Sequence, residues 1–246
     1  MDIAPPSTHR PKVGQIVGRV LFHTAYRPVS LDAHVVPRKG PVILVANHTG
    51  LLDGPLVFTL SPRPAFFFVK KETFKGVVGW VLREVGQIPV DREVGDRAAL
   101  GTAVAVLRAG GVVGIFPEGT RGMGDVASVH QGASWLALQT GAPVVPIAVL
   151  GTRQAGEGIW ALPPFRARVA AVFGSPVTLD EDRTLPRRER VRRASEQLRE
   201  VLAGHVATST TRIGMPLPGD DPREISCPRR RAEAERAAQR SDDRPQ

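Results

Sequence analysis

Residues 41–53 read PVILVANHTGLLD, a short apolar run that ends in polar residues. The run 41–46 is uncharged and rich in β-branched residues, which predicts a strand buried on both faces. His48 follows this run, and Asp53 stands five residues after it. Polar residues just beyond the carboxyl end of a parallel strand are where α/β folds usually expose their sites. The stretch therefore predicts both a fold class and the place of a site.

Further apolar runs alternate with helical segments on the carboxyl side of this stretch. Strands are predicted at 65–69, 87–90, 111–116, 143–150 and 166–173. Helices are predicted near 54–60, 75–84, 96–109, 130–140 and 186–207. Strands separated by helices are typical of an α/β fold with a mixed, largely parallel sheet that is flanked by helices.

An amphipathic helix is predicted over residues 11–27. Its apolar residues recur at helical spacing, at Val13, Ile16, Val17, Val20 and Leu21. Polar residues occupy the other side, at Lys12, Gln15 and Arg19. Two interpretations fit this pattern equally well. The apolar stripe can pack on the core, or it can lie on a membrane surface with basic residues beside the headgroups.

Composition indicates an ordinary globular chain with an excess of positive charge. The 246 residues are 42% hydrophobic, with a mean hydropathy of −0.09 and a formal net charge of +9. No apolar stretch approaches the roughly 18 residues that a spanning helix needs, and the amino terminus lacks the apolar core of a secretory signal. We therefore expect a cytoplasmic protein. The positive charge fits nucleic acid, acidic lipid headgroups or phosphorylated substrates.

One folded domain is expected, at residues 11–207. Residues 1–10 are predicted to be disordered, and residues 208–246 are predicted to form a disordered basic tail because they are polar and lack apolar periodicity. The single cysteine, Cys227, lies in that tail and excludes an internal disulfide. The scattered histidines show no metal-ligand spacing, so no metal is expected.

His48 and Asp53 form the first candidate for chemistry. An aspartate that accepts a hydrogen bond from one ring nitrogen leaves the other nitrogen available as a base. The alternative is structural, with the histidine capping the following helix and Asp53 in an ordinary turn. Neither a Gly-x-Ser-x-Gly elbow nor a cysteine near the site offers a nucleophile. A hydroxyl supplied by the substrate would explain a dyad that lacks a serine.

Two further segments place arginines directly after predicted strands. The segment 116–121, FPEGTR, can form a tight turn at Gly119 that holds a phosphate or an oxyanion with Arg121. The segment 86–92, GQIPVDR, ends in Arg92, a second candidate for the phosphate. Ordinary surface ion pairs are the alternative for both segments.

Taken together, these segments resemble the 1-acyl-glycerol-3-phosphate (lysophosphatidic acid) acyltransferase family of glycerolipid acyltransferases. Four blocks are similar and stand in the family's order, at 47–53, 86–92, 116–121 and 145–149. The segment 68–80 also looks like the family's linking segment. The resemblance covers about residues 30–180, and it implies the α/β fold of these enzymes. The chain has Gly50 and Gly122 where the family often has serine, a difference that bears on the choice of acceptor.

The resemblance implies direct acyl transfer without a covalent acyl-enzyme. His48 would be the general base and Asp53 its orienting partner. The acceptor, lysophosphatidic acid, would be held by Arg92, Glu118, Gly119, Thr120 and Arg121, with Lys71 assisting. The donor would be acyl-CoA or acyl-carrier-protein, and no cofactor is expected.

The resemblance also bears on partners and location. An enzyme that uses lipid substrates gives the amphipathic helix a function, so the membrane-surface interpretation is favoured over core packing. We expect peripheral attachment to the inner face of the cell membrane. Another lysophospholipid or alcohol as acceptor is the alternative. A basic nucleic-acid-binding module is a remote one, since no nucleic-acid-binding motif is present.

Overall fold

Seven strands form one sheet in the computed structural model, which describes residues 9–91, 96–179 and 182–226. The strands are β1 (Arg27–Leu31), β2 (Val42–Ala46), β3 (Ala65–Lys70), β4 (Ile88–Val90), β5 (Val112–Ile115), β6 (Val144–Leu150) and β7 (Arg168–Phe173). Their spatial order is β1-β7-β6-β2-β5-β3-β4. Only β6 and β7 pair in antiparallel fashion, and the other neighbouring strands are parallel. The predicted mixed, largely parallel sheet is confirmed.

Helices cover both faces of the sheet. They are α1 (His9–Ala25), α2 (Asp53–Leu60), α3 (Gly76–Glu84), α4 (Arg97–Arg108), α5 (Gly132–Thr140), α6 (Arg187–Ile213) and α7 (Pro222–Ser226). Alternate residues of β2 point to opposite faces, as the strand period requires. Ile43 and Val45 pack with α4, α5 and α6, whereas Leu44 and Ala46 pack with α2 and with Phe22 of α1.

Strand β1 is absent from the prediction. Its sequence, RPVSL, carries an arginine, a proline and a serine, and none of its residues is fully buried. It lies at the edge of the sheet, where a proline is tolerated because one side of the strand has no neighbour to bond. An edge strand of this kind produces no apolar run, so hydrophobic patterning does not reveal it.

Helix α1 packs with its polar side inward. Gln15 is 5% exposed, and its Nε2 donates to the carbonyl oxygens of Phe58 at 2.7 Å and Ser61 at 3.2 Å. Arg19 Nε donates to the Thr59 carbonyl at 3.0 Å. These bonds satisfy carbonyls at the end of α2, which have no partner within their own helix.

The apolar stripe of α1 faces outward. Its residues are 52% to 62% exposed, at Val13, Ile16, Val17, Val20 and Leu21. The interpretation that this stripe packs on the core is therefore wrong. Phe22 is the large apolar side chain of α1 that enters the core.

The carboxyl end of the chain departs from the predicted tail. Helix α6 passes through Gly204 and ends at Ile213, with Gly214 as its cap at a φ of 63°. The segment after this helix is held by Arg153, which is 3% exposed, donates to the Asp220 carbonyl at 2.6 Å, and lies 2.9 Å from the Asp220 carboxylate. The predicted disorder is wrong for residues 208–226 because long-range contacts order a polar sequence. Residues 227–246, like residues 1–8, lie outside the described part.

Candidate active site

Two loops meet at the centre of the sheet. Strands β2 and β5 are parallel neighbours with Val45 opposite Ile115, so the loops after them leave the same edge. The backbone N–H of His48 donates to Glu118 Oε1 at 2.8 Å. The backbone N–H of Gly122 donates to the His48 carbonyl at 2.9 Å. These two hydrogen bonds join the segments 47–53 and 116–121.

His48 and Asp53 form a hydrogen-bonded pair. His48 Nδ1 lies 2.8 Å from Asp53 Oδ2, and the two side chains are 12% and 0% exposed. Asp53 begins α2, where the helix dipole favours a negative charge. Because a carboxylate can only accept, Nδ1 carries the proton and Nε2 is left as the basic nitrogen. The arrangement fits a base and its orienting acid.

Asp53 is held by more than the imidazole. Its Oδ2 accepts from the backbone N–H groups of Thr49 at 2.6 Å and Gly50 at 2.8 Å. Its Oδ1 accepts a short hydrogen bond from the hydroxyl of Thr152. Three donors besides His48 therefore stabilise the ionised carboxylate at a buried position.

Thr152 is a site residue that the sequence analysis missed. It stands two residues beyond Leu150, the end of β6, and is fully buried. Its hydroxyl also lies 3.1 Å from that of Thr49. The signal was present in the sequence, since a polar residue just past a buried strand is the criterion that identified His48.

Gly50 is explained by its close approach to Thr152. A Cβ at this position would lie 2.8 Å from the carbonyl oxygen of Thr152, a contact that side chains do not make. The serine that the related family often carries here would therefore require the backbone of residues 151–153 to move. At Gly122 the nearest atom, Glu118 Oε2, is 3.7 Å from the equivalent position, so a side chain would fit.

Aromatic rings pack against the imidazole. The ring of Phe116 stacks on that of His48, with centroids 4.2 Å apart and an interplanar angle of 21°. Phe67 stacks behind Phe116 at 5.5 Å. This packing restricts the rotation of the histidine and shields one of its faces from water. Phe116 opens the FPEGTR segment but was interpreted in the sequence only as the end of a strand.

Glu118 is a carboxyl group with a shifted titration. Burial raises the pKa of Glu118 from 4.5 to about 7, and the nearby carboxylates of Asp125 and Asp53 act in the same direction. The hydrogen bond from the His48 N–H opposes this shift but does not cancel it. Near neutral pH both protonation states of Glu118 are therefore populated.

This shift predicts a pH-dependent stability. The folded protein keeps the Glu118 proton between pH 4.5 and about 7, where the unfolded chain loses it. The stabilisation is therefore complete below pH 4.5 and is lost as the pH rises to about 7, by up to about 3 kcal/mol. Glu118→Gln preserves the acceptor for His48 and removes the titration. Urea unfolding of both proteins across this range should show converging stabilities at low pH, and parallel curves would contradict the shift.

The FPEGTR turn directs Arg121 toward the loop after β6. Gly119 has a φ of +72°, and a Cβ there would lie 2.5 Å from the ring of His130. Arg121 Nη1 donates to the carbonyl oxygen of Ile159 at 3.1 Å. Its guanidinium stands 5.0 Å from the ring centroid of Trp160, within cation–π range. Thr120 is exposed beside it.

Lys71 follows a strand at the end of the sheet where β2 and β5 terminate. Lys71 begins a short 3₁₀ helix directly after β3, two strands from β2, and its side chain is exposed. It lines a groove of about 840 Å³ together with Lys75 and Arg83. Arg92 follows β4 by two residues and lies outside the described residues, as do residues 93–95.

Comparison with known proteins agrees with this geometry. The model of the family described as Acyltransferase matches residues 29–150, which include all four blocks. The 1-acyl-sn-glycerol-3-phosphate acyltransferase of Bacillus subtilis (strain 168) is 29% identical over 170 residues, which cover 67% of this chain and 81% of that protein. The protein with the same name from Borreliella burgdorferi is 34% identical over 122 residues, about half of each chain (48%).

A solved structure has the same fold. It is the crystal structure of the 1-acyl-sn-glycerophosphate (LPA) acyltransferase, PlsC, from Thermotoga maritima. The TM-score is 0.62 at 26% identity, over 81% of this chain and 79% of the other. The chain is therefore an enzyme of the acyltransferase family, and its resemblance to the 1-acyl-glycerol-3-phosphate acyltransferases within that family is confirmed.

Proposed function

We propose that the protein moves a fatty acyl group from an acyl thioester to the free hydroxyl of lysophosphatidic acid, giving phosphatidic acid. The observation that carries this proposal is the His48–Asp53 pair, with its base nitrogen left over and its carboxylate held by three further donors. The similar proteins of Bacillus subtilis and Borreliella burgdorferi carry the name of this activity.

The pair determines the chemistry. His48 Nε2 takes the proton of the acceptor hydroxyl while its oxygen attacks the thioester carbonyl carbon. The new carbon–oxygen bond forms and the carbon–sulfur bond breaks. The leaving thiolate then takes the proton back from the imidazolium and departs as a thiol. Asp53 stays ionised throughout and stabilises the transient imidazolium, so no atom of the enzyme is acylated.

The acceptor phosphate is assigned to arginine. Arg121 can present two parallel N–H groups to phosphate oxygens, with the backbone of Gly119 and the exposed Thr120 beside it. Arg92 is proposed as the second phosphate ligand from its place in the sequence, and Lys71 as an assisting cation at the same edge. Glu118 is proposed to contact the acceptor as well, and its Oε1 accepts the backbone N–H of His48, which joins this turn to the base.

Attachment to a membrane surface is proposed for α1 and α3. The exposed apolar stripe of α1 is joined by exposed residues of α3, which contacts α1, at Val77, Val78, Trp80 and Val81. Within the described residues, no helix combines the length and the hydropathy that crossing a bilayer would take. An apolar face with basic residues beside it suits insertion among headgroups on the inner face of the cell membrane.

A substitution in the stripe tests this attachment. Ile16→Glu is expected to weaken binding to phospholipid vesicles roughly tenfold or more, because it removes an exposed isoleucine that would insert into the bilayer and adds a charge. Ala207→Glu places the same charge at an exposed position of α6 and is the matched control. Vesicle flotation measures both variants. Equal binding by both variants and the original protein would contradict attachment through α1.

An acceptor panel tests the reaction. Labelled acyl-CoA and acyl-carrier-protein are each offered with lysophosphatidic acid, other lysophospholipids, glycerol 3-phosphate and a long-chain alcohol. Phosphatidic acid should form faster than any other product, and the faster donor identifies the carrier. Preferential transfer to another acceptor would overturn lysophosphatidic acid as the substrate. Absence of transfer to every acceptor from both donors would overturn the proposed function.

A further inference from the structure

A basic pocket lies beside the edge strand β1, at the end of the sheet that also carries the His48–Asp53 pair. It measures about 450 Å³ and is formed where α1 ends and where β1 and β7 begin. Its polar lining consists of His23, Tyr26, Arg27, Arg166 and Arg168. None of the lining residues is acidic. Nothing in the proposed acyl transfer uses this pocket.

The topology of the sheet places the pocket at the same end of the strands as the site of the proposed reaction. Strand β7 is antiparallel to β6, and β1 is parallel to β7. The amino ends of β1 and β7 therefore lie at the same edge as the carboxyl end of β6, which leads to Thr152. Along this edge the basic pocket, Thr152 and His48 follow one another.

The arginines are arranged to receive an anion. Arg27 and Arg168 are register partners on neighbouring parallel strands, so two like charges stand side by side. Such a pair is unfavourable until an anion neutralises it. Arg166 Nη1 donates to the His23 carbonyl at 3.0 Å, and Arg168 Nη1 donates to the Ile213 carbonyl at 3.3 Å. These bonds occupy one nitrogen in each of the Arg166 and Arg168 guanidinium groups, and they fix the positions of the two groups.

The backbone at Arg166 is also unusual. Its φ of +64° lies in the left-handed region, which costs energy for a residue with a side chain. The conformation is stabilised by the bond from the Arg166 N–H to the Ala25 carbonyl at 2.7 Å. Local strain of this kind often accompanies binding sites. Here it joins the loop before β7 to the end of α1 and brings Arg166 to the pocket.

Exposed apolar side chains border the pocket. Phe165 is 77% exposed and directly precedes Arg166, and Leu162 is 56% exposed in the same loop. The stripe of α1 ends at Leu21, two residues before His23. A cationic pocket at the rim of an exposed apolar surface matches the structure of a membrane interface, where phosphate groups lie just above the acyl chains.

We propose that this pocket binds the phosphate-bearing headgroup of an anionic phospholipid in the membrane. The inference rests on the proposed membrane attachment, and it does not require acyl transfer. Guanidinium groups pair with phosphate oxygens through parallel N–H bonds, and the bordering apolar residues contact the acyl chains. The bound lipid anchors the starts of β1 and β7 to the membrane. It thereby turns the end of the sheet that carries His48 toward the bilayer.

Vesicle binding by the full-length protein tests the pocket. The variant Arg27→Gln/Arg168→Gln removes two charges from the pocket. The control variant Arg38→Gln/Arg108→Gln removes two exposed charges near the opposite end of the sheet, where β2 and β5 begin. Vesicles of phosphatidylcholine with and without phosphatidylglycerol are compared by flotation. The pocket variant should lose about fivefold in affinity per arginine on anionic vesicles and nothing on neutral ones. The control variant should bind both kinds of vesicle like the original protein.

Other outcomes overturn the proposal. Equal losses in the two double variants would mean that general charge attracts the membrane. Titration with inorganic phosphate in the absence of vesicles distinguishes a site for free phosphate. Phosphate binding that is lost in the pocket variant, with vesicle affinity unchanged, would replace the lipid by a soluble anion. Arg27→Gln alone should show the smaller loss, which separates the charge effect from misfolding.

The binding measurement is independent of catalysis. His48→Ala should bind anionic vesicles like the original protein even though its acyl transfer is lost. Failure of the pocket variant to lose affinity, with phosphatidic acid still formed by the original protein, would overturn the lipid site alone. Absence of transfer in the acceptor panel, with the vesicle result as expected, would overturn the proposed function alone.

Discussion

His48→Ala is expected to lower the rate of acyl transfer by a factor of about 10²–10⁴. The thioester is already activated, so the enzyme's contributions are to position two substrates and to remove the hydroxyl proton. Alanine leaves the positioning groups in place and removes the base. The turnover number with saturating lysophosphatidic acid and acyl-CoA should fall, while the Michaelis constants should change little because the residues proposed to bind the phosphate remain.

The control for this variant is His34→Ala, which removes an exposed histidine on the stretch between β1 and β2. It should retain the original turnover. Asp53 keeps its three other donors when His48 is lost, so His48→Ala should remain folded, with a stability loss of about 1–2 kcal/mol in urea unfolding. Unchanged turnover in a folded His48→Ala protein would contradict a general base at this position.

The centre of this site was predictable because it obeys local rules. The loop after the carboxyl end of a buried parallel strand must reach the surface, so the sequence alone places His48 and the FPEGTR turn at one edge of the sheet. The apolar period of α1 also predicted the helix correctly. It did not predict which side of α1 packs inward, because that depends on carbonyls at the end of α2, which no pattern within α1 encodes.

The features that the sequence did not predict depend on contacts between segments far apart in the chain. Thr152 reaches Asp53 only because β6 lies beside β2, and the order of strands was not assigned from the sequence. The segment after α6 is ordered by Asp220, which meets Arg153 67 residues earlier in the chain. Its composition resembles that of a disordered tail, but Asp220 pairs with the buried Arg153 and Leu217 packs against the core. Both errors arise from polar residues that find partners far away in the sequence.

Asp53→Asn should combine a catalytic loss with a loss of stability, which distinguishes it from His48→Ala. An amide keeps one acceptor oxygen, but its NH₂ group must face one of the donors that now meet a carboxylate. With the NH₂ group at the Oδ1 position, the Thr152 hydroxyl must change from donor to acceptor, and the bonds to Oδ2 are no longer made to a charged group. We expect this to cost about 1–3 kcal/mol. The imidazole also loses the partner that fixes its tautomer, which in a serine-protease triad costs about 10⁴-fold in turnover.

Thr152→Val is the matched partial variant for this prediction. It removes the one donor to Asp53 Oδ1 and leaves the Oδ2 bonds to His48, Thr49 and Gly50 intact. A hydrogen bond to a charged group contributes about 1.5–3 kcal/mol, so the turnover should fall about tenfold or more, yet less than in Asp53→Asn. Thr152→Ser retains the hydroxyl and should recover most of the activity.

Turnover and urea unfolding, measured on the same preparations, separate the two roles that the sequence left open for Asp53. If Asp53→Asn lost stability but kept the original turnover, the aspartate would only hold the turn before α2, which is the structural alternative. Because Asp53 Oδ2 serves the imidazole and two backbone N–H groups at once, we expect both losses together. The same carboxylate would then hold the loop and orient the base.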